Sequence, residues 1–210
     1  MPRPRIFLAC ALATISAAAQ AAPVYIEITD LNGRPTANAV VALTGHDVAA
    51  GVSRLPSEQV IDQRMETFLP LVTLLPKGGR VTFTNNDTTM HQVYSFSPVK
   101  QFAFEIDERH KSQPVVFDKA GIAAIGCNIH DHMIAYVYVA DTPWVALTDA
   151  KGRAQFDAPA GNYRVEVWHP QLAPGRTPPS ATLTVRSDTK LALSVALQPP
   201  PPKHMHMGSY

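Results

Sequence analysis

The sequence has few cysteines, almost no excess of charge and no long apolar run beyond its first residues. Only two of its 210 residues are cysteines, which is too few for a disulfide framework. After the N-terminal stretch, no segment approaches the roughly 20 apolar residues of a membrane-spanning helix. A formal net charge of +1 excludes the strong basic field of a nucleic-acid-binding protein. We therefore expect no membrane span and no nucleic-acid partner.

The first 21 residues have the pattern of a secretory signal peptide. Arg3 and Arg5 form a basic start, residues 6–19 are apolar or small, and residues 19–21 form a small-x-small cleavage site. Cleavage after Ala21 predicts an exported, periplasmic protein. The apolar stretch is too short to span a membrane as a helix.

Signal cleavage would leave a single thiol. It removes Cys10 and retains Cys127, and a lone cysteine in an exported protein is a buried bystander, an intermolecular link, or a reactive or metal-bound thiol. A lipoprotein interpretation would instead acylate Cys10, although only residues 6–9 precede it as an apolar core. The residues around Cys127 favour a metal-bound thiol.

Long segments with helical apolar spacing are also missing, whereas prolines are frequent. Nineteen prolines argue against long helices and for strands joined by turns. Short runs of alternating apolar and polar residues, bounded by Gly, Pro, Asn and Asp, predict an all-β protein. Strands are predicted over residues 24–29, 39–43, 60–63, 68–74, 81–84, 92–96, 101–104, 115–117, 121–126, 134–139, 145–148, 154–156, 163–168, 181–186 and 191–197.

Three side chains that favour late transition metals lie in one run of the sequence. Cys127, His130 and Met133 are spaced three residues apart, between the strands predicted over 121–126 and 134–139. His91, just beyond the strand over 81–84, can supply a second imidazole. Two His and one Cys with a weak axial Met are typical of blue-copper electron-transfer sites. These residues predict one mononuclear copper ion.

Other interpretations of these side chains remain open. A free cysteine is often a small buried hydrophobe, and Met133 could serve only core packing. His132 competes with His130 as the second imidazole of the loop. Zinc is the rival metal because one Cys, two His and a water can bind it, whereas the Met and the higher affinity of such sites for Cu(II) favour copper. The remaining histidines outside the tail are predicted to be structural or surface residues: His46, His110 and His169.

The wider pattern over residues 58–140 resembles the cupredoxin family, the plastocyanin-like blue copper proteins. The sequence around His91 and Cys127 is similar to that of cupredoxin-like proteins often labelled methylamine utilisation protein. The resemblance implies a Greek-key β-sandwich with one copper ion and with His130 at the exposed route for electrons. One departure is that residues 123–126 are Ala-Ala-Ile-Gly, where blue copper proteins usually carry bulky aromatics. The matching positions are Val81-x-Phe83-x-Asn85-x-Asp87, His91, Gly121, Cys127, His130 and Met133.

The flanks of that region resemble a different sandwich. Asp30-x-x-Gly33-x-Pro35 and the turns at 148–152 and 159–165 look like the two halves of a carboxypeptidase regulatory-like, transthyretin-like β-sandwich. Neither half has enough strands to cover its apolar faces alone, so we expect the cupredoxin to be inserted between them. The expected organisation is a signal peptide at 1–21, a discontinuous sandwich of 24–45 plus 144–198, a cupredoxin domain at 58–140, and a Pro-rich and His/Met-rich tail at 199–210.

The function predicted from the sequence is that of an exported copper protein acting as a one-electron carrier between redox partner proteins. The ligand order, with no second metal cluster and no catalytic dyad in the sequence, argues against an enzyme. One alternative is a periplasmic copper trafficking or storage protein that uses the tail residues 204–207 as additional donors. Another is an adhesion or scaffold sandwich with a vestigial metal loop.

Overall fold

The computed structural model describes residues 21–45, 53–175 and 177–199, and every regular element among them is a β-strand. This confirms the predicted all-β class. Except for their innermost residues, Ala21 and Pro199, the predicted signal peptide and the C-terminal tail lie outside the described residues, as does His46. Across the three described ranges, we find no helix with the length and apolar character needed to cross a membrane.

The described strands follow the predicted pattern closely. Residue 21, the last residue of the predicted signal peptide, is already paired in the first strand. In chain order the strands are β1 (Ala21–Asp30), β2 (Val40–Thr44), β3 (Glu58–Gln63), β4 (Phe68–Leu69), β5 (Val72–Pro76), β6 (Gly79–Asn85), β7 (His91–Ser97), β8 (Lys100–Ile106), β9 (Val115–Phe117), β10 (Gly121–Cys127), β11 (Ile134–Ala140), β12 (Val145–Leu147), β13 (Arg153–Pro159), β14 (Gly161–Trp168), β15 (Ser180–Val185) and β16 (Thr189–Val195).

Strands β3 to β11 form what we call the inner sandwich. One sheet has the order β5-β11-β10-β7-β8 and the other β4-β3-β6-β9. Inward residues of both sheets share one apolar core, in which Phe83 of β6 contacts the rings of Phe102 and Phe104 of β8 at centroid distances of 5.6 and 5.8 Å. Alternate residues of each strand point into this core, as expected for a two-layer β structure.

Strands β1, β2 and β12 to β16 form what we call the flanking sandwich. Its sheets have the orders β13-β1-β16 and β12-β2-β14-β15, and they enclose a separate apolar core. β1 lies between β13 and β16, and β2 lies between β12 and β14. The chain segment before the inner sandwich is therefore paired with the segments that follow it.

Two strands are buried on both faces because they lie where the sandwiches meet. In β2, Val41 and Leu43 enter the flanking core, whereas Val40 packs in a third apolar cluster that also contains Val72 and Leu74 of β5. Such two-sided burial produces continuous apolar runs instead of alternation, and both β2 and β5 have them.

Aromatic side chains extend this contact between the sandwiches. The ring of Trp168 on β14 lies 5.3 Å from Tyr136 and 6.1 Å from Tyr138 on β11, measured between centroids. Burial, with a smaller contribution from the charges of Asp141 and Glu166, raises the pKa of Tyr138 to about 12. Tyr138 is therefore a neutral packing residue at physiological pH.

The run predicted over residues 68–74 is divided between two sheets. β4 pairs with β3, and β5 pairs with β11 in the other layer. Pro70 lies between them and has no N–H to donate to a ladder, while the carbonyl of Leu71 accepts from the amide of Tyr136 at 2.8 Å. The chain thus crosses between layers at the proline.

The segment 36–39 is attached to the second half of the flanking sandwich by one buried threonine. The hydroxyl of Thr148 donates to the Thr36 carbonyl at 2.7 Å and accepts from the Ala39 amide at 2.9 Å. Its backbone exchanges two further hydrogen bonds with Ala39 and Asn38. Because Thr148 is only 4% exposed, solvent cannot replace these partners.

Replacing Thr148 with the isosteric Val should destabilise the protein. Two buried backbone groups lose their partner, and at roughly 1–3 kcal/mol each the expected loss of unfolding free energy is about 2–6 kcal/mol. Chemical denaturation followed by circular dichroism measures it. The control T182V, at an exposed position of β15, should change stability by less than about 0.5 kcal/mol. Equal stability of T148V and T182V would contradict the role given to this hydroxyl.

Candidate metal centre

Cys127 is the last residue of β10 and faces the inner core. Along this strand Ala123, Ile125 and Cys127 point inward, with exposures of 0, 0 and 3%. The inward direction follows from the two-residue period of the strand. The thiol is free and lies at the end of the sandwich where the β6–β7 and β10–β11 loops meet.

The small residues before Cys127 have a packing reason. A Cβ atom added to Gly126 would lie 2.7 Å from Cζ of Tyr94, which extends over it from the neighbouring strand β7. The Tyr94 ring in turn lies 4.9 Å from that of Phe96. A large aromatic ring therefore packs on Gly126 from β7, on the face of the sheet opposite the inward-facing Cys127.

His91, the first residue of β7, is fully buried and is held at both ring nitrogens. Its Nδ1 lies 3.6 Å from Sγ of Cys127, and its Nε2 lies 2.9 Å from Oδ2 of Asp87. A carboxylate that accepts the Nε2 proton leaves the lone pair of Nδ1 directed toward the thiol. This carboxylate–imidazole arrangement is the usual support of a histidine metal ligand.

Asp87 is in turn held by the turn at residues 64–67, which connects β3 to β4. The backbone amides of Met65 and Glu66 both donate to its carboxylate, the latter at 3.0 Å. Burial raises the pKa of Asp87, but the Glu66 amide, the His91 ring and the Met65 amide together outweigh that effect. The pKa is therefore below its ordinary value, and the group is a carboxylate at neutral pH.

This turn has a backbone that few residues adopt. Met65 and Glu66 have φ angles of +50° and +54°, as in the type I′ hairpin turns that usually contain Asn-Gly. Non-glycine residues in this region cost on the order of 1–3 kcal/mol each and persist where surrounding contacts hold them. The two amides on Asp87 are such contacts.

Asn85 anchors the other end of the loop that carries Asp87. Its Nδ2 donates to the carbonyls of Thr89 and Ile106 at 2.8 and 3.0 Å, and its Oδ1 accepts from the Asp87 amide at 2.9 Å. Asn85 is 1% exposed. The Asn-rich turn before His91 therefore orders the loop that delivers the first imidazole.

His130 approaches the thiol from the β10–β11 loop. Its Nδ1 lies 4.0 Å from Sγ of Cys127, and its ring centroid lies 5.1 Å from that of His91. The loop is closed by a hydrogen bond at 3.0 Å from the Met133 amide to the His130 carbonyl. One ligand atom from each of Cys127, His91 and His130 falls within 4.8 Å of the other two.

These separations fit a single metal ion. An ion about 2.3 Å from sulfur and about 2.0 Å from nitrogen, at angles of about 110–120°, separates the two donors by about 3.5–3.7 Å. The Sγ–Nδ1 distances of 3.6 and 4.0 Å therefore need only a small inward shift of His130. One soft thiolate and two imidazole nitrogens are a donor set suited to copper or zinc.

The two remaining candidates of the loop occupy different environments. Met133 is 2% exposed and belongs to the same core cluster as Cys127; its role as an axial ligand stays a prediction. His132 does not join the three-donor group and faces Glu66 instead, with Nε2 3.7 Å from Oε2. The structure thus brings His130, not His132, to the thiol.

Two carboxylates beside the donors were not assigned a role from the sequence. Asp87 precedes His91 by four residues, and this spacing is a local signal that could have identified it. Glu66 lies 3.6 Å from Nε2 of His130, and only the packing of a distant turn brings it there.

The other two described histidines have structural surroundings. His169 is 6% exposed, with Nε2 3.1 Å from the Ala37 carbonyl and Nδ1 accepting from the Gln171 amide; burial lowers the pKa of His169. His110 lies on the surface, with Nδ1 2.9 Å from the Glu108 carbonyl.

Replacing Asp87 with Ala should destabilise the metal-free protein. Two turn amides and a buried imidazole lose a charged acceptor, and we expect a loss of at least about 1.5–3 kcal/mol, the range for a single hydrogen bond to a charged group. Because its folded pKa is depressed, this contribution is present above pH 3.8, the ordinary pKa, and is lost as pH falls further. Urea denaturation at pH 7 and at pH 3 measures both effects. The exposed control D118A should retain wild-type stability; a D87A protein as stable as D118A at pH 7 would contradict this assignment.

Comparisons with known proteins find similarity to solved structures only. No family model and no curated protein matches this sequence. A purple cupredoxin from Nitrosopumilus maritimus matches at 22% identity over 39% of this chain and 98% of its own, with a TM-score of 0.34. Amicyanin from Paracoccus versutus matches at 21% over 48% and 97%, with a TM-score of 0.36. A copper-containing nitrite reductase from Thermus scotoductus matches at 20% over 48% of this chain but only 25% of its own, with a TM-score of 0.37. Each likeness covers less than half of this chain.

Proposed function

We propose that this chain is an exported protein of the cupredoxin type that holds one copper ion and carries single electrons between redox partner proteins. The observation that supports this most directly is the placement of a thiol and two imidazoles with one ligand atom of each within 4.8 Å of the other two. Bound copper would supply the one-electron chemistry by alternating between its cuprous and cupric states. In this proposal the protein is not an enzyme.

Each donor has a distinct role in the proposed site. Cys127 binds as the thiolate, the form in which cysteine ligates metals, and is the strongest donor. His91 and His130 would each bind the ion through Nδ1, the nitrogen nearest Cys127. Met133 is proposed as a fourth, weak ligand, which would help to set the redox potential.

The rigidity of the donors favours electron transfer over metal trafficking. His91, Cys127 and Met133 are at most 3% exposed, and His91 is fixed by Asp87 at its outer nitrogen. Donors held in one geometry change little when an electron arrives or leaves, whereas a trafficking protein must exchange ligands. The His130 side chain is 18% exposed and is proposed as the route for electrons to a partner.

The strand pairing supports the proposed domain organisation. We propose a cupredoxin domain over residues 58–140, of the type often labelled methylamine utilisation protein, inserted into a carboxypeptidase regulatory-like sandwich of residues 24–45 plus 144–198. Among the described strands, β1 and β2 pair with strands of β12 to β16 and with none of β3 to β11, and each sandwich has its own core. The signal peptide at 1–21 and the tail at 199–210 complete this proposal.

Copper loading tests the ligand assignment. Wild-type protein should bind one copper per chain and show an intense thiolate-to-copper absorption band, because a cysteine sulfur is bound to the cupric ion. C127S should lose the band, and H91Q should lose or shift it. The control H110Q changes a surface histidine and should match wild type in spectrum and metal content. Stoichiometric copper without this band in wild-type protein would contradict a thiolate-ligated cupric site; retention of the band in C127S would contradict the choice of cysteine.

Electrochemistry tests the carrier role. A reversible one-electron wave and fast self-exchange are expected, because the donors are already in place. Deleting residues 203–207, which lie outside the described residues, should leave both unchanged. A trafficking protein that recruits copper through this tail would instead lose copper transfer to an acceptor on deletion. An irreversible wave accompanied by copper release would contradict the carrier role.

A further inference from the structure

We infer that Glu66 is a positioning residue for His130, so that the turn at residues 64–67 sets the orientation of both imidazoles of the site. The inference rests on the proposed function, because it concerns the same metal centre. It adds a residue of the β3–β4 turn to a site whose three closest donors come from the start of β7, the end of β10 and the β10–β11 loop.

The Glu66 carboxylate lies between two imidazoles of the β10–β11 loop. Its Oε1 is 3.6 Å from Nε2 of His130, and its Oε2 is 3.7 Å from Nε2 of His132. The side chains of Glu66, His130 and His132 are 30, 18 and 33% exposed. A partly screened carboxylate at the outer nitrogen of His130 favours the ring orientation in which Nδ1 faces Cys127.

Metal binding should strengthen this contact. When Nδ1 of an imidazole gives its lone pair to a cation, the ring N–H at Nε2 becomes a better hydrogen-bond donor, and an outer carboxylate makes the ring a stronger ligand. The separation of 3.6 Å is longer than a hydrogen bond. On metal binding, His130 would move slightly toward Cys127, because its Nδ1 is 4.0 Å from Sγ. The distance between His130 Nε2 and Glu66 Oε1 can change in the same movement.

Glu66 also acts on the other imidazole, through its backbone. Its amide donates to Asp87 at 3.0 Å, and Asp87 holds Nε2 of His91. One residue therefore supports His91 with its main chain and His130 with its side chain. The uncommon φ of +54° at Glu66 directs its amide toward one loop while its side chain reaches the other.

Variants of the Glu66 side chain distinguish an effect of its position from an effect of its charge and from a change in the stability of the protein. E66Q removes the charge and keeps the length, whereas E66D keeps the charge and shortens the reach. Neither changes the backbone amide that Asp87 uses. The matched control is E58Q, which removes the same charge at the opposite end of β3, where Glu58 makes only an exposed contact with Arg80.

The measurement is the rate at which copper-loaded protein transfers its metal to excess chelator, followed by loss of the thiolate-to-copper band. Loss of an outer-shell partner typically costs 10- to 100-fold in metal affinity, so E66Q should release copper about 10-fold faster or more. E66D should also release it several-fold faster, and E58Q should stay within about twofold of wild type. The thermal midpoint of the metal-free protein should be alike in all four proteins.

The outcomes distinguish this inference from the proposed function. If wild-type protein lacks the band, the proposed function fails and this inference fails with it. If wild-type protein has the band and E66Q releases copper no faster than E58Q, only the positioning role of Glu66 is overturned. A wild-type rate in E66D with a fast rate in E66Q would assign the effect to charge and not to position. A lower thermal midpoint of metal-free E66Q, in proportion to its faster release, would assign Glu66 a merely structural role.

Discussion

The arrangement of the candidate metal centre depends on the carboxylate of Asp87. It accepts from two amides of the turn at 64–67 and from Nε2 of the buried His91. An unpaired carboxylate or imidazole at this depth would be costly, so these contacts keep the turn, the β6–β7 loop and the start of β7 in one geometry. The His91 ring then presents Nδ1 to Cys127. Its orientation is set by the contact that Asp87 makes at the opposite ring nitrogen, Nε2.

The inner sandwich that carries the site is itself covered by the flanking sandwich. β2 and β5 are buried on both faces, since each lies between a sandwich core and the apolar cluster where the two sandwiches meet. Trp168 adds aromatic contacts to β11. The contact lies along β5 and β11, and the third apolar cluster includes neither Cys127 nor His130. The end of the inner sandwich that carries these two residues therefore lies outside this contact.

Next to the cysteine, a small residue on one strand is paired with a large side chain on the neighbouring strand. The absence of aromatic residues in the strand before Cys127 suggested a site unlike that of blue copper proteins. Gly126 instead accommodates the ring of Tyr94 from β7, so the absent side chain on one strand is matched by a large one on its neighbour. Reading one strand at a time does not reveal this exchange, because cross-strand register is a property of the sheet.

The sequence by itself determined the all-β class, most strand positions and the donors that come together. Alternating apolar residues define strands, and thiol and imidazole chemistry does not depend on the fold. It also indicated that the first and last segments complete one sandwich, since neither has enough strands alone. The tertiary structure places His130, the histidine that the sequence favoured over His132, beside the thiol. Only the tertiary structure shows that Asp87 and Glu66 lie against the two imidazoles. The turn at 64–67 holds Asp87, the partner of His91, with two amides and approaches His130 with the Glu66 side chain. It lies more than 20 residues before His91 and more than 60 before His130. Such contacts arise from packing between strands and leave no local pattern for Glu66.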